Sequence, residues 1–164
     1  MQQNLNEQIN VRKMKEEDLE WVMKVGLNTP EFKTGTDAAQ FYSLETLKRW
    51  VNDFNGITLV AEYEENKAGF LLGYYMAGPN DGYINCTVVG SEYRRKGIGK
   101  ALQEEVISKF ELKGPEGHKC DHIFCVVGET DEPMLNLKRE LGFDIGSKFH
   151  YVEMMLPRKG KETG

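Results

Sequence analysis

Tyr93-Arg94-Arg95-Lys96-Gly97-Ile98-Gly99-Lys100-Ala101-Leu102 follows the apolar pair Val88-Val89 and opens a helical pattern. It reads as an anion cradle. Two glycines two apart let the backbone approach a ligand closely, and a helix starting there aims unpaired N–H groups and its positive dipole end at the turn. Arg94, Arg95, Lys96 and Lys100 add four cations within seven residues. Other glycine loops do not fit. A Walker loop needs Ser or Thr after Gly99-Lys100 and Gly at position 94, but Ala101 and Arg94 stand there. A dinucleotide fingerprint needs a third small residue where Leu102 lies. A pyrophosphate remains the natural guest.

The 164 residues suit one domain with a sizeable core, and 40% apolar with 29% charged is ordinary globular composition. No apolar run approaches the roughly 20 residues that span a bilayer. The polar start through Gln8 lacks the basic region and apolar stretch of a leader, so a cytoplasmic protein is expected. Cys86, Cys120 and Cys125 are read as free thiols in a reducing compartment. A net charge of −5 argues against a general nucleic-acid surface while permitting the local basic patch at 94–100.

Outward from the cradle, residues 1–8 and 157–164 are expected to be flexible ends of a domain spanning 9–156. Ile9 to Met14 alternates as a first strand, and Glu16 to Leu27 puts Leu19, Val22, Met23 and Gly26 on one helical face. Acidic Glu16, Glu17 and Asp18 suit that helix's positive end. Asn28 to Tyr42 has no period and reads as a long loop. Ser43 is the expected N-cap of a helix through Phe54, with Leu44, Leu47, Trp50, Val51 and Phe54 on its buried side. Three strands follow as an antiparallel meander: Ile57 to Tyr63, Gly69 to Ala77 and Tyr83 to Val89. After the cradle, Ile98, Ala101, Leu102, Val106 and Phe110 stripe a helix that Gly114-Pro115 stops. His122 to Val127 is the next strand. Thr130 is the expected cap of a helix bearing Met134, Leu137 and Leu141, and Asp144 to His150 and Tyr151 to Leu156 are expected to close the sheet.

That order, with Arg94-x-x-Gly97-x-Gly99 after the fourth strand, resembles the GNAT N-acetyltransferase superfamily, whose acyl-CoA pyrophosphate loop reads the same way. Thr87-Val88-Val89-Gly90-Ser91-Glu92-Tyr93-Arg94 is similar to the family's strand-to-loop passage, and Glu140-Leu141-Gly142-Phe143 to its helix-ending Leu-Gly-Phe. The resemblance covers roughly residues 9–156. It implies an α+β fold, a mostly antiparallel mixed sheet of about seven strands flanked by about four helices.

The resemblance also implies the chemistry: acetyl transfer from acetyl-CoA to a primary amine by direct attack in a ternary complex. The pantetheine arm would pair with the backbone of Thr87, Val88 and Val89 as an added strand. The pyrophosphate would lie on the N–H groups of Arg95, Lys96, Gly97, Ile98, Gly99 and Lys100, beside Arg94. Two departures from the family pattern stand out. Lys138 occupies the position of the tyrosine that protonates the departing thiolate in many members, and Asp131 that of an asparagine. An ammonium could stabilise a thiolate, because a thiol of pKa about 8.5 leaves without full protonation; water or Tyr151 are the alternatives. Tyr83 stands where members carry a basic glutamate, and a phenol there is a poor base able to hold a water. Glu62, Glu129, His150 and a prebound water are the other candidates.

His118-x-Cys120-x-His122-x-x-Cys125 contains zinc-binding residue types without a familiar ligand spacing, and in a strand Cys125 faces away from Cys120 and His122; no metal is assigned. The acceptor is expected between loop 28–42 and the last hairpin. Glu31, Asp37 and Glu45 there, with Glu129 and Asp131 near the thioester end, would favour a cationic amine, and Phe32, Phe41 and Tyr42 would shape a pocket. A small-molecule amine and a protein amino group are both open, with neither nucleic acid nor membrane as partner; dimers are common in the family. The rival readings are a non-catalytic acyl-CoA-binding sensor or structural subunit, and an unrelated phosphate-ligand binder.

Overall fold

A computed structural model describes residues 8–33, 35–36, 40–114 and 119–156. Strand β1 (Ile9–Lys13) is followed by helices α1 (Leu19–Leu27) and α2 (Leu44–Asn52). The meander β2 (Gly56–Tyr63), β3 (Asn66–Met76) and β4 (Asp81–Val89) leads to α3 (Ile98–Glu111), β5 (His122–Cys125) and α4 (Glu132–Glu140). The strands form one sheet in chain order, antiparallel from β1 through β4 and parallel between β4 and β5.

The meander's apolar residues cover both faces of this sheet. On one, Met14, Leu19, Val22, Leu47, Val51, Phe70 and Val88 form a core beneath α1 and α2. On the other, Leu59, Ala61, Leu71 and Ile84 pack against Ile98, Leu102, Val106 and Phe110 of α3. Ser43 caps α2 as expected, accepting from the Thr46 N–H at 3.3 Å. Gln8 continues the β1 pairing: its carbonyl accepts from the Glu64 N–H at 3.1 Å.

A register shift in β4 decides how the strand presents its side chains. Gly73 pairs with Ile84 and Leu72 with Cys86, so Asn85 is an extra residue. Side chains alternate along a strand, so Ile84, Cys86 and Val88 would share a face without it. Instead Ile84 packs toward α3, and Cys86 and Val88 toward α1 and α2. Trp50 braces the partner strand at the same level, its ring N–H donating to the Gly73 carbonyl at 2.9 Å.

Four expectations need correction. Among the described residues the sheet has five strands rather than about seven, because no strand forms over 144–156. Among the described residues that segment is held by Lys148 to Glu129 at 3.3 Å and by a Thr36–Glu153 hydrogen bond, while Phe149, Val152, Met154 and Leu156 are exposed. A closing hairpin needs main-chain partners, and β5 offers an edge of only four residues. Asp131 rather than Thr130 caps α4, accepting from the Met134 N–H at 3.1 Å. The acidic run 16–18 makes a 3-10 turn rather than the first turn of α1, and Asp18, at the N-cap of α1, is wholly buried and pairs with Arg12 at 2.8 Å and Lys67 at 2.9 Å. Helix α2 ends at Asn52, leaving Phe54 88% exposed.

Candidate functional site

The parallel strand β5 accompanies β4 only from Asp81 to Ile84. From Asn85 to Val89, β4 has β3 on one side and, among the described residues, no strand on the other. An unpaired strand edge is a template for an extended ligand. Thr87, Val88 and Val89 lie on that half.

The cradle begins where this edge ends. After a 3-10 turn at Ser91–Tyr93, Arg95 (φ 63°) and Gly97 (φ 82°) both adopt the left-handed region. Such alternation turns successive N–H groups toward one side. Gly97 is the N-cap of α3 and supplies no side-chain cap, so the first N–H groups of the helix stay free for a ligand; the first intrahelical bond is Ala101 N–H to Gly97 O at 3.0 Å. A left-handed L residue is disfavoured, which explains Gly97. A Cβ there would meet only Ile9, at 3.9 Å, so the space over the turn is open. The cradle therefore suits an anionic, phosphate-like group.

The cations are less uniform than their sequence suggests. Arg94 reaches Glu31 at 3.7 Å, Lys96 lies over the Tyr63 ring at 4.9 Å, and Lys100 is bound by Glu140 at 2.5 Å. Arg95 alone of the four makes no ion pair, ring contact or side-chain hydrogen bond among the described residues.

Lys138 lies beneath the unpaired half of β4, 2% exposed. Its Nζ donates to Gln103 Oε1 at 2.6 Å and sits 4.4 Å from the Phe143 ring centroid. Burial pushes its amine below the ordinary lysine range, opposed by the neighbouring Cys125 sulfur. The sequence contained a sign of this: Met134, Leu137, Lys138 and Leu141 share one helical stripe. Gln103, 1% exposed, donates onward to Thr87 Oγ1 at 2.6 Å. Neither Gln103 nor the Thr87 side chain is singled out by the sequence, because the Asn85 bulge is what turns Thr87 toward α3.

On the opposite side of β4, the Tyr42 hydroxyl donates to Asn85 Oδ1 at 3.2 Å, and Asn85 Nδ2 lies 3.5 Å from the Tyr83 hydroxyl. Burial raises both phenols, Tyr42 to about 12. Both therefore stay protonated at neutral pH and donate rather than accept a proton. The other candidate bases are engaged: Glu62 is bonded by Arg12 at 2.7 Å, which lowers its pKa, and Glu129 by Lys148. His150 is exposed. Asp131 caps α4, Glu31 and Glu45 face Arg94 and Arg49, and Asp37 lies outside the described residues. The acidic set thus adds little net potential for a cationic acceptor. Phe32 and Phe41 stack on each other at 5.2 Å, and Phe41 enters the core rather than lining the cleft. Cys120 donates to the carbonyls of Asn80 and His122, and His118 lies outside the described residues. A cavity of about 300 Å³ opens at the end of β4 on the α1 side, between Trp21, Val25, Thr29, Val88 and Arg94.

Residues 22–143 match the model of the acetyltransferase (GNAT) family. The chain belongs to the GNAT family. The PaiA N-acetyltransferase of Thermoplasma acidophilum, solved in complex with coenzyme A, superposes with a TM-score of 0.71 at 20% identity, over 86% of this chain and 92% of that one. An aminoglycoside acetyltransferase from an uncultured soil metagenomic sample, in complex with sisomicin, gives 0.70 at 19% identity, over 94% and 100%. The ribosomal-protein-S18-alanine N-acetyltransferase of Escherichia coli gives 0.67 at 16% identity, over 85% and 79%. At these identities the likeness shows the GNAT fold. No curated protein matches. No helix among the described residues is long and apolar enough to cross a membrane.

Proposed function

We propose that the protein is a cytoplasmic N-acetyltransferase moving an acetyl group from acetyl-CoA to a primary amine. The observation that carries this reading is the junction of an unpaired β4 edge, Asn85 to Val89, with the left-handed cradle at Arg95–Gly97 and the uncapped start of α3. The backbone of Thr87 to Val89 would hold the pantetheine arm, and the N–H groups of residues 95–100, with Arg95, the pyrophosphate. Acetyl-CoA supplies the activated thioester. Asp131, engaged as the α4 cap, would serve this site by holding α4 and with it Lys138.

In the reaction the neutral amine nitrogen attacks the thioester carbonyl carbon. A C–N bond forms, the C–S bond breaks with its electron pair passing to sulfur, and the nitrogen loses one proton to water. Lys138 stabilises the departing thiolate as a buried cation, worth more in this dry setting than at a surface. Tyr83, kept protonated, would hold the proton-accepting water rather than act as base. The acceptor would approach from the α1 side, where the α1–α2 connection and the cavity beside Trp21 lie; both a small amine and a protein amino group fit this reading.

Calorimetric titration with acetyl-CoA, free CoA and ATP tests it. Both CoA species are expected to bind and ATP far more weakly, and Gly97→Glu is expected to remove binding while circular dichroism stays native. ATP binding as tight as CoA would favour a general phosphate binder. CoA binding with no thiol release across a panel of amines would favour an acyl-CoA sensor.

A further inference from the structure

Among the described residues Lys138 has no carboxylate partner. Its neighbours are the Gln103 side chain on α3, the Phe143 ring after α4 and, on β5, Cys125, the one titratable group facing it among the described residues. An ammonium only donates. With Lys138 charged, Gln103 must turn Oε1 toward it and Nε2 toward Thr87, as its 2.6 Å bonds on both sides require. The Thr87 oxygen then accepts, and its own proton is left without an acceptor among the described residues. A neutral lysine amine carries a lone pair and permits the reverse: Gln103 Nε2 donates to Nζ, and Oε1 draws the Thr87 proton away. Charge on Lys138 therefore fixes the direction of a hydroxyl on the unpaired half of β4, and loss of that charge releases it.

We propose that Thr87, Gln103 and Lys138 form a directional hydrogen-bond relay in which charged Lys138 frees the Thr87 hydroxyl to donate into the cleft, onto negative charge developing at the acyl carbonyl or the sulfur. The relay rests on the acetyl-transfer reading. Thr87 keeps its proton throughout, so no atom is transferred through the chain. Gln103 is a positioning residue: it never meets the substrate, and its amide conveys the state of Lys138. The bulge at Asn85 makes this possible, because without it Thr87 would face α1 and α2.

Kinetics, calorimetry and an NMR titration of the Lys138 Nζ in the free protein test the relay together. Thr87→Val is expected to lower kcat about tenfold, the scale of one hydrogen bond to a developing charge, with acetyl-CoA affinity within about twofold of wild type. Thr87→Ser is expected to restore kcat to within about threefold. Gln103→Leu should lower kcat by a similar factor, add nothing to Thr87→Val, and shift the Lys138 titration to lower pH by removing an acceptor of the charged form. Gln103→Glu separates charge from direction: it shifts the titration upward, yet it accepts the Thr87 proton and so lowers kcat. Wild-type turnover in Thr87→Val, or kcat losses in Gln103→Leu and Thr87→Val that multiply, would overturn the relay. Absence of acetyl-CoA binding to the wild-type protein would instead remove the functional reading. An Nζ titration unmoved by Gln103→Leu would overturn the relay whatever the activity.

Discussion

The two halves of β4 were built from similar residues and put to opposite uses. From Asp81 to Ile84 the strand is paired on both edges, and α3 closes over it so tightly that a Cβ at Gly82 would come within 2.7 Å of the Phe110 ring. From Asn85 to Val89 it is paired on one edge only and rests on a polar chain that ends in a buried ammonium. On its α3 side the first half is filled by the Phe110 ring, which leaves no room there for a ligand. In the second, backbone groups stay available and the Lys138 amine is held out of water, an arrangement that contributes little to stability and that, in the proposed reaction, would serve electrostatic catalysis. One inserted residue separates the two.

Substitutions that strike one half and spare the other would break this contrast or sharpen it. The largest expected effect belongs to the closed half: Phe110→Ala should cost about 3–5 kcal/mol, read by chemical denaturation, because the ring is wholly buried and Gly82 cannot fill the space. Acetyl-CoA affinity of the folded fraction should hardly move.

Lys138→Met is the counterpart. Replacing a buried unpaired ammonium by an apolar side chain of similar length should leave stability unchanged or raise it, while turnover falls about 100-fold. A loss of both would mean that Lys138 is structural. Its pH dependence has a definite sign. Burial lowers the folded-state pKa, so the ammonium is present at low pH and is lost as pH rises through a value below the ordinary lysine range. Wild-type kcat should therefore show an alkaline limb that Lys138→Met lacks, and wild-type stability should gain relative to the variant over the same rise.

Gly82→Ala comes next, at about 1–3 kcal/mol, as the added methyl is forced against Phe110. Smallest is Asp131→Ala. Losing the α4 cap should cost about 1 kcal/mol, with acetyl-CoA affinity unchanged to first order because the carboxylate bonds the Met134 N–H. An affinity loss of tenfold or more would show that Asp131 meets the cofactor directly.

Much of the fold around this contrast is legible in the sequence. The glycines of the cradle, the stripes of α1, α2 and α3, the Ser43 cap and the meander all follow from short-range rules, since each depends on neighbours within a turn or a strand. The closing strands were misread for the same reason: Tyr151 to Leu156 has the apolar content of a strand, but a strand exists only where another presents its backbone, and β5 ends at Cys125. The ion pairs of Asp18 are not legible in the sequence, because its partners, Arg12 and Lys67, come from β1 and β3.

By itself the sequence determined the order of the elements, which faces are apolar, and a glycine-broken basic turn at a helix start, because these are set by covalent geometry and local periodicity. Tertiary structure alone decided that β5 leaves β4 after Ile84, that Asn85 is extra, and that Thr87, Gln103 and Lys138 meet. Those outcomes depend on which strand lies beside which and in what register, a competition among long-range contacts that no stretch of neighbouring residues encodes.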